Sequence, residues 1–529
     1  MTRILVPGSN CWLQAEADRA GVLVDARDYY RAFYRAARRA RQYIAILGWQ
    51  FDSNVSLLRG EDVQGVQGET RMLPLLNELC EQNPELQVHI LAWDFSLLLA
   101  LEREWMQQML FSRHSERISF RFDTSAPLSG SHHQKLVIID GQLAFTGGMD
   151  ICDCRWDDRS HPARSTLRCD SGRDPHGPYH DVQAVLTGPV VQPLVELFEA
   201  RWFNSGGGTL QLPKPIARDD VEVGATLPLP PGPVAISRTF GKTLVPFQEP
   251  VQEVRALYLD AIHAAERFIY VENQYFSSRA IFQALVRRMR DRERGPLQIV
   301  FMLPRMPEAL REQLAMGVAQ VRLLRVLQRV ASENGHALGV YCSASRDEEG
   351  TDVFTYIHSK LMVVDDRFLT LGSANTTNRS LGLDSELNLA WEAAEAREGQ
   401  VMRCAIRRLR VSLLVEHTGL KDRAKVRELS RADRLVSLLD EVAARAQDRL
   451  RPHPLETLFD QSPLLKPLEP EEFLIDPEDS LLDESFFESL RQEEGLLATG
   501  VRLFTRWFSS LPERPHPASL PTEAPSVEP

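Results

Sequence analysis

The chain has 529 residues, 43% apolar and 25% charged, the make-up of a soluble globular protein long enough for two or more sizeable cores. Its net charge of −12 is uneven: from Pro452 to Pro529 there are 16 Asp/Glu against 5 Lys/Arg, a balance of −11 that leaves −1 for the rest. A neutral body with an acidic tail excludes an electrostatic case for general nucleic-acid binding. No apolar run reaches the roughly 18 to 20 residues that cross a bilayer. The N-terminus, Met1 to Asn10, lacks the basic region and long apolar stretch of a secretion signal. The seven cysteines are odd in number and scattered, which argues against a disulfide framework and suits a reducing compartment. Cys152-x-Cys154 has no second pair at zinc-finger spacing and reads as two free thiols. The chain is therefore expected to be made as a soluble cytoplasmic protein, with export by a signal-less route left open.

In chain order, residues from about 27 to 51 read as a helix running into the apolar strand Tyr43–Leu47, with Tyr29, Phe33, Ala36 and Ala37 at helical spacing. A second helix–strand unit spans Met72–Cys80 and Leu86–Trp93. Lys135–Ile139 is a strand, Cys152–Pro178 a long polar loop, Val182–Leu186 a strand and Val191–Trp202 a helix. The Gly- and Pro-rich stretch Ser205–Pro233 reads as a connection. The pattern then repeats: helix Val251–Glu266, strand Phe268–Glu272, helix Ala280–Asp291, strand Leu297–Leu303, helix Glu308–Ala331 and strand Lys360–Val364. Alternating strands and helices predict an α/β protein of mixed or parallel sheets covered by helices. The expected division is a first half over 1–204, a linker over 205–235, a second half over 236–450 and an acidic, Pro-rich extension over 451–529. Apolar residues from Phe486 to Phe508 recur near helical period, and the end beyond about Leu511 has a disordered composition.

Three blocks recur at one offset. His133-Gln134-Lys135…Asp140 matches His358-Ser359-Lys360…Asp365, 225 residues on. The turns Gly147-Gly148-Met149-Asp150 and Gly372-Ser373-Ala374-Asn375 share that offset, as do Arg39–Phe51 and Ala264–Phe276. The chain is an internal duplication with one histidine–lysine pair per half. Strand side chains alternate between faces, so His133 projects with Lys135 and His358 with Lys360. Asp140 is seven residues from His133 and faces the other way, so Asp140 and Asp365 are expected to support the motif near the strand end. Brought together about a pseudo-twofold axis, the two motifs make one site with two imidazoles and two ammonium groups. That set suits a phosphodiester without a metal or other cofactor. Lysines offset charge on the non-bridging oxygens, one neutral imidazole attacks phosphorus, and the other, protonated, serves the leaving alkoxide. Histidine's ordinary pKa of about 6.5 allows that division with modest tuning. The small-residue turns let backbone approach closely. The strand ends Trp93-Asp94 and Glu272-Asn273 are candidates for the pocket wall.

At these residues the chain resembles the phospholipase D superfamily, whose signature is this duplicated motif. Gly147 to Asp157 resembles the Gly-Gly-x-Asp-Leu-Cys…Arg-Trp-Asp stretch of eukaryotic-type phospholipases D, and Tyr179-His180-Asp181-Val182 is similar to their Trp-His-Asp-Val. Ile269 to Phe276 resembles Ile-Tyr-Ile-Glu-Asn-Gln-Phe-Phe, and Asp384-Ser385-Glu386 and Glu416-His417-x-Gly419 fit as well. The family's Gly-Ser-Ala-Asn-x-Asn-Asp-Arg-Ser departs at Thr377 and Asn378. The resemblance, over about Tyr30 to Leu420, implies a two-step reaction through a phosphohistidine. His133 would be the nucleophile, His358 the acid and later the base, and Lys135, Lys360 and Asn375 would hold the phosphate oxygens. Asp150, Gly148, Ser373 and Asn273 complete the substrate-binding candidates. Asp181 is expected to orient His133, and Glu386 to orient His358. Water as acceptor would give phosphatidic acid, and an alcohol a new phospholipid.

The expected partner is a phospholipid membrane surface, met peripherally, with no specific nucleic acid. An immunity or accessory protein would accompany the chain only if it were delivered to another cell. No membrane-recruitment or calcium module is expected before the first half. The rivals are a cardiolipin synthase-like phosphatidyltransferase, a nuclease, and a catalytically inactive lipid-binding scaffold.

Overall fold

A computed structural model describes residues 3–93, 111, 115–127, 130–216, 224–244, 247–305, 310–395, 399–445, 447–455 and 476. The segment Phe486–Phe508, the end of the chain and Asp94 lie outside the described residues. Two mixed sheets carry the duplication. The first runs Leu227–Leu229, Arg19–Val24, Val182–Thr187, Leu143–Gly147, Leu136–Ile139, Tyr43–Gly48, Gln87–Trp93, Ile118–Asp123. The second runs Leu13–Ala17, Gly232–Phe240, Glu386–Glu392, Phe368–Gly372, Leu361–Val364, Phe268–Glu272, Gln298–Met302, Ala337–Arg346, Asp352–Phe354. The register repeats too: Ile44 lies opposite Ile139, and Ile269 opposite Val364. In each sheet the last three shared strands are parallel and the others antiparallel.

One edge strand of each sheet lies outside that sheet's own half of the sequence. Leu13–Ala17 pairs with Gly232–Ile236 in the second sheet, and Leu227–Leu229 pairs with Ala20–Val22 in the first. Sheet membership therefore crosses the boundaries expected at 204 and 236, and part of the expected linker is strand. Leu450–Pro452 adds to the second sheet beside Tyr341–Ser343.

Both faces of each sheet are buried, which explains strands apolar at every position rather than at alternate ones. Ile44, Ile46, Val137 and Ile139 face an outer core with helices Asp25–Ala37 and Met72–Gln82. Ile269, Val271, Met362 and Val364 do the same with helices Glu253–Ala264 and Arg279–Arg290. The alternate residues, among them Tyr43, Leu136, Tyr270 and Leu361, meet in one central core with helices Val191–Trp202 and Gln400–Thr418. The last of these helices stops at Gly419, whose φ of +69° suits a glycine and whose N–H donates to Val415. That stop leaves Glu416 and His417 in the final buried turn, aimed beneath the site. No helix among the described residues is long and apolar enough to cross a membrane.

Candidate active site

The motif histidines sit on the extended run-ins to strands Leu136–Ile139 and Leu361–Val364, not within the ladders. Each run-in pairs with the opposite half. His133 N–H donates to Ser385 O (2.9 Å) and His358 N–H to His180 O (2.8 Å). Tyr356–Ile357 pairs in parallel with Tyr179–His180, and His132 bridges Ser385. The residue after each acceptor carbonyl is an acid, so each imidazole takes its carboxylate from across the interface. His133 Nδ1 lies 3.1 Å from Glu386 Oε2, and His358 Nδ1 lies 2.6 Å from Asp181 Oδ2. The pairing expected from sequence, Asp181 with His133 and Glu386 with His358, is thus reversed.

The lysines converge on the same place. Lys135 and Lys360 both depress His133, and Lys360, Arg155 and Lys135 depress His358. Burial is the larger cause in each case, and together these effects hold both imidazoles well below the ordinary value. With no substrate charge nearby both are neutral at pH 7, rather than one neutral and one protonated. Burial lowers Lys360 to about 7, with Asp181 acting in opposition. It raises Asp181 to about 6 and Glu386 to about 8, the latter helped by neighbouring Asp384. The surroundings of the lysines differ: Lys135 Nζ is 3.1 Å from Asp150 Oδ2, whereas Lys360 Nζ donates to the neutral Gln274 Oε1 (3.0 Å). Asn375, at the position equivalent to Asp150, places its amide 3.5 Å from the same Gln274 oxygen, and its own Oδ1 is buried with no hydrogen-bond partner.

Several expected residues have other work. Asp140 accepts from the N–H groups of Arg41, Gln42 and Tyr43 (2.7–2.9 Å), and Asp365 from those of Glu266, Arg267 and Phe268 (2.7–2.8 Å). Both tie the strand end to the start of the neighbouring strand, away from the reacting groups. Ser373 Oγ donates to Glu386 (2.5 Å) and accepts from Leu387 N–H (3.0 Å), and its carbonyl accepts from His133 Nδ1 (3.0 Å). It holds the His133 pair rather than a substrate. A Cβ on Gly148 would sit 2.2 Å from Asp181 Oδ1, so this glycine leaves room for the acid. Asn273 Oδ1 accepts from Thr376 N–H (3.0 Å), fixing the second turn, while its Nδ2 is buried without a partner.

Other residues around the site carry no role that their sequence context alone assigns. Tyr179 lies against His358 with centroids 5.5 Å apart. His132 Nδ1 meets Ser385 Oγ (2.9 Å), and Arg201 joins Asp123 and Gln134 (both 2.6 Å) beneath His133. Asp476, from the acidic extension, accepts from Ser277 Oγ (2.6 Å), Asn378 N–H (3.1 Å) and Arg379 N–H (2.8 Å). A carboxylate thus reaches position 378, where the quoted pattern has Asp and this chain has Asn. The only sequence signal for it was that departure.

Two motifs, exchanged acids and a repeated register make one site from two copies of one design. Residues 36–225 match a family model described as Phospholipase D, and residues 258–402 one described as Cardiolipin synthase, PLD-like domain. The chain belongs to the phospholipase D superfamily. Phospholipase D alpha 1 of Carica papaya is 24% identical over 522 residues, covering 74% of this chain and 63% of its own length. Phospholipase D alpha 4 of Arabidopsis thaliana is 25% identical over 502 residues, covering 75% and 64% respectively. The chain spans just under two thirds of the length of these superfamily members. A crystal structure of phosphatidylserine synthase from Haemophilus influenzae Rd KW20 aligns over 82% of this chain and 94% of that one, at 15% identity and a TM-score of 0.49.

Proposed function

We propose that the chain is a phospholipase D, hydrolysing glycerophospholipids to phosphatidic acid and free headgroup, with transfer to an alcohol as a side reaction. The observation that carries this reading is the pair of buried imidazoles, each hydrogen-bonded at Nδ1 to a carboxylate from the other half and flanked by Lys135 and Lys360. His133, neutral, attacks phosphorus; a P–N bond forms and the P–O bond to the headgroup breaks. His358 gives its proton to the departing alkoxide, then removes one from water, which attacks phosphorus and releases His133. The anionic phosphodiester offsets the two ammonium groups and lifts His358 into the range where it carries that proton.

The acids favour this assignment of roles. Asp181, at about 6, is more readily ionised near neutrality than Glu386, at about 8. An ionised partner raises the basicity of His358, as an acid–base group needs, whereas a protonated Glu386 leaves His133 uncharged and nucleophilic. A second reading, a phosphatidyltransferase, is favoured by the match of the second half to the model described as Cardiolipin synthase.

The test is product analysis on vesicles of phosphatidylcholine, phosphatidylethanolamine and phosphatidylglycerol, with and without primary alcohol, for wild type, His133→Ala and His358→Ala. Phosphatidic acid, or phosphatidyl-alcohol when alcohol is present, lost in both variants, supports the hydrolase. Cardiolipin as main product supports the transferase. No turnover of any lipid by folded protein refutes both.

A further inference from the structure

Beneath the site lies a buried cluster that the reaction above does not use. Asp25 at the start of helix Asp25–Ala37, His161 in the long loop and His180 come from the first half, and Glu416 comes from the last turn of helix Gln400–Thr418. One ligating atom from each lies within 4.8 Å of all the others. His180 Nδ1 is 2.9 Å from Asp25 Oδ1 and 2.8 Å from Glu416 Oε1; His161 Nε2 is 3.4 Å from Asp25 Oδ2 and 3.1 Å from Glu416 Oε1. Bonds of about 2.0–2.1 Å to a tetrahedral ion require edges of about 3.3 Å, which these distances bracket.

Two observations separate this from an ordinary ion-pair cluster. His180 Nδ1 and Asp25 Oδ2 are fully buried and have no hydrogen-bond partner, although carboxylate or imidazole atoms stand close by. The far nitrogens are also held: His161 Nδ1 by Asp157 Oδ2 (2.8 Å) and His180 Nε2 by Glu272 Oε2 (3.0 Å). A carboxylate behind each imidazole is how metal-binding histidines are oriented.

We propose that Asp25, His161, His180 and Glu416 form a closed structural site for a divalent transition-metal ion, zinc being the best fit. Two imidazoles argue against calcium or magnesium, and four protein ligands, all buried, leave no position for substrate or reactive water. The ion would join the two halves directly under His358, since His180 precedes Asp181 and its carbonyl holds His358 N–H. The inference stands on these residues alone and is independent of the lipid substrate.

The experiment uses the full chain, purified through a tag without histidines and reconstituted with equimolar zinc or cobalt. Elemental analysis should give about one ion per chain after gel filtration. The cobalt form should show the intense visible bands of tetrahedral coordination, and X-ray absorption should find two imidazole nitrogens, two oxygens and no sulfur. His161→Gln, folded by circular dichroism, should lose the ion. Less than a tenth of an equivalent bound by wild type, sulfur in the shell, or full retention by His161→Gln would each overturn the proposal. If His161→Gln does not fold, the coordination shell of wild type decides.

Discussion

Gly148→Ala adds one carbon and tests the exchanged-acid arrangement directly. The new Cβ would lie 2.2 Å from Asp181 Oδ1, 2.7 Å from Oδ2 and 2.8 Å from Cγ. Ordinary contact needs roughly 3.4 Å, so the carboxylate must retreat by roughly 1 Å. Rotation offers no escape, because Asp181 Oδ1 accepts from Val182 N–H (2.7 Å) and Oδ2 faces His358. The Asp181–His358 contact, 2.6 Å in the wild type, would open past the limit of about 3.2 Å for a useful hydrogen bond. A misplacement of this size costs about 10²-fold, and loss of the acid that orients a catalytic imidazole about 10⁴-fold. The expected fall in kcat is therefore about 10²- to 10⁴-fold, about 3 to 5 kcal/mol, with KM nearly unchanged and the melting temperature close to wild type. Headgroup release from phosphatidylcholine vesicles measures it, and bis(4-nitrophenyl) phosphate extends it to a diester whose leaving group needs no proton. On that ester the initial burst of nitrophenol should survive while steady turnover slows. A Gly148→Ala enzyme within tenfold of wild type on the lipid would refute the reasoning.

Asp181→Asn and Glu386→Ala should differ in the same assay: the first keeps the nitrophenol burst, because His133 retains its partner, and the second, which takes away the group that holds His133 Nδ1, loses it. Identical burst kinetics in the two variants would contradict the cross-half pairing. The kcat/KM for a phosphodiester should decline as pH rises through about 7, because Lys360, lowered to about 7, then loses its proton and its charge. In Lys360→Arg the scaled profile should stay flat across that range, and a superimposable decline would assign the limb to another group. Asp140→Ala removes an acceptor from three N–H groups at a residue with φ +52°. It should cost about 3 kcal/mol of stability in chemical denaturation while leaving kcat of the folded fraction within about twofold; a large kcat loss at unchanged stability would place Asp140 in the chemistry.

The repeat at 225 residues was legible because duplication leaves an offset that no single element could produce, and the two His–Lys pairs followed from strand parity. What parity could not convey is which half supplies each acid. Asp181 precedes strand Val182–Thr187 and Glu386 opens strand Glu386–Glu392, and only the pairing of His133 with Ser385 and of His358 with His180 decides the matter. The chemistry of a side chain also said little about its competing partners. Ser373 reads from the sequence as a substrate-binding candidate, yet its hydroxyl is engaged by Glu386 and Leu387. Strands such as Leu13–Ala17 and Leu227–Leu229 were missed because each is short and half of its apolar pattern is satisfied by a sheet formed far away in sequence. Asp476 reaches the site across a long stretch of chain, a contact that no local pattern announces.

The exchanged outer strands bear on how the chain is made. Residues 13–17 emerge early from the ribosome, yet their partner is 232–236, so they wait through more than two hundred residues of synthesis before pairing. Meanwhile Arg19–Val24 keeps an open edge until 227–229 arrives. A first half released alone would present both an unpaired strand and an unpaired edge, each a template for pairing with other chains. The first sheet closes once 227–229 is made, whereas the second waits for Glu386–Glu392, and nascent chains stalled between residues 187 and 227, with both sheets open, should be the species most in need of a chaperone.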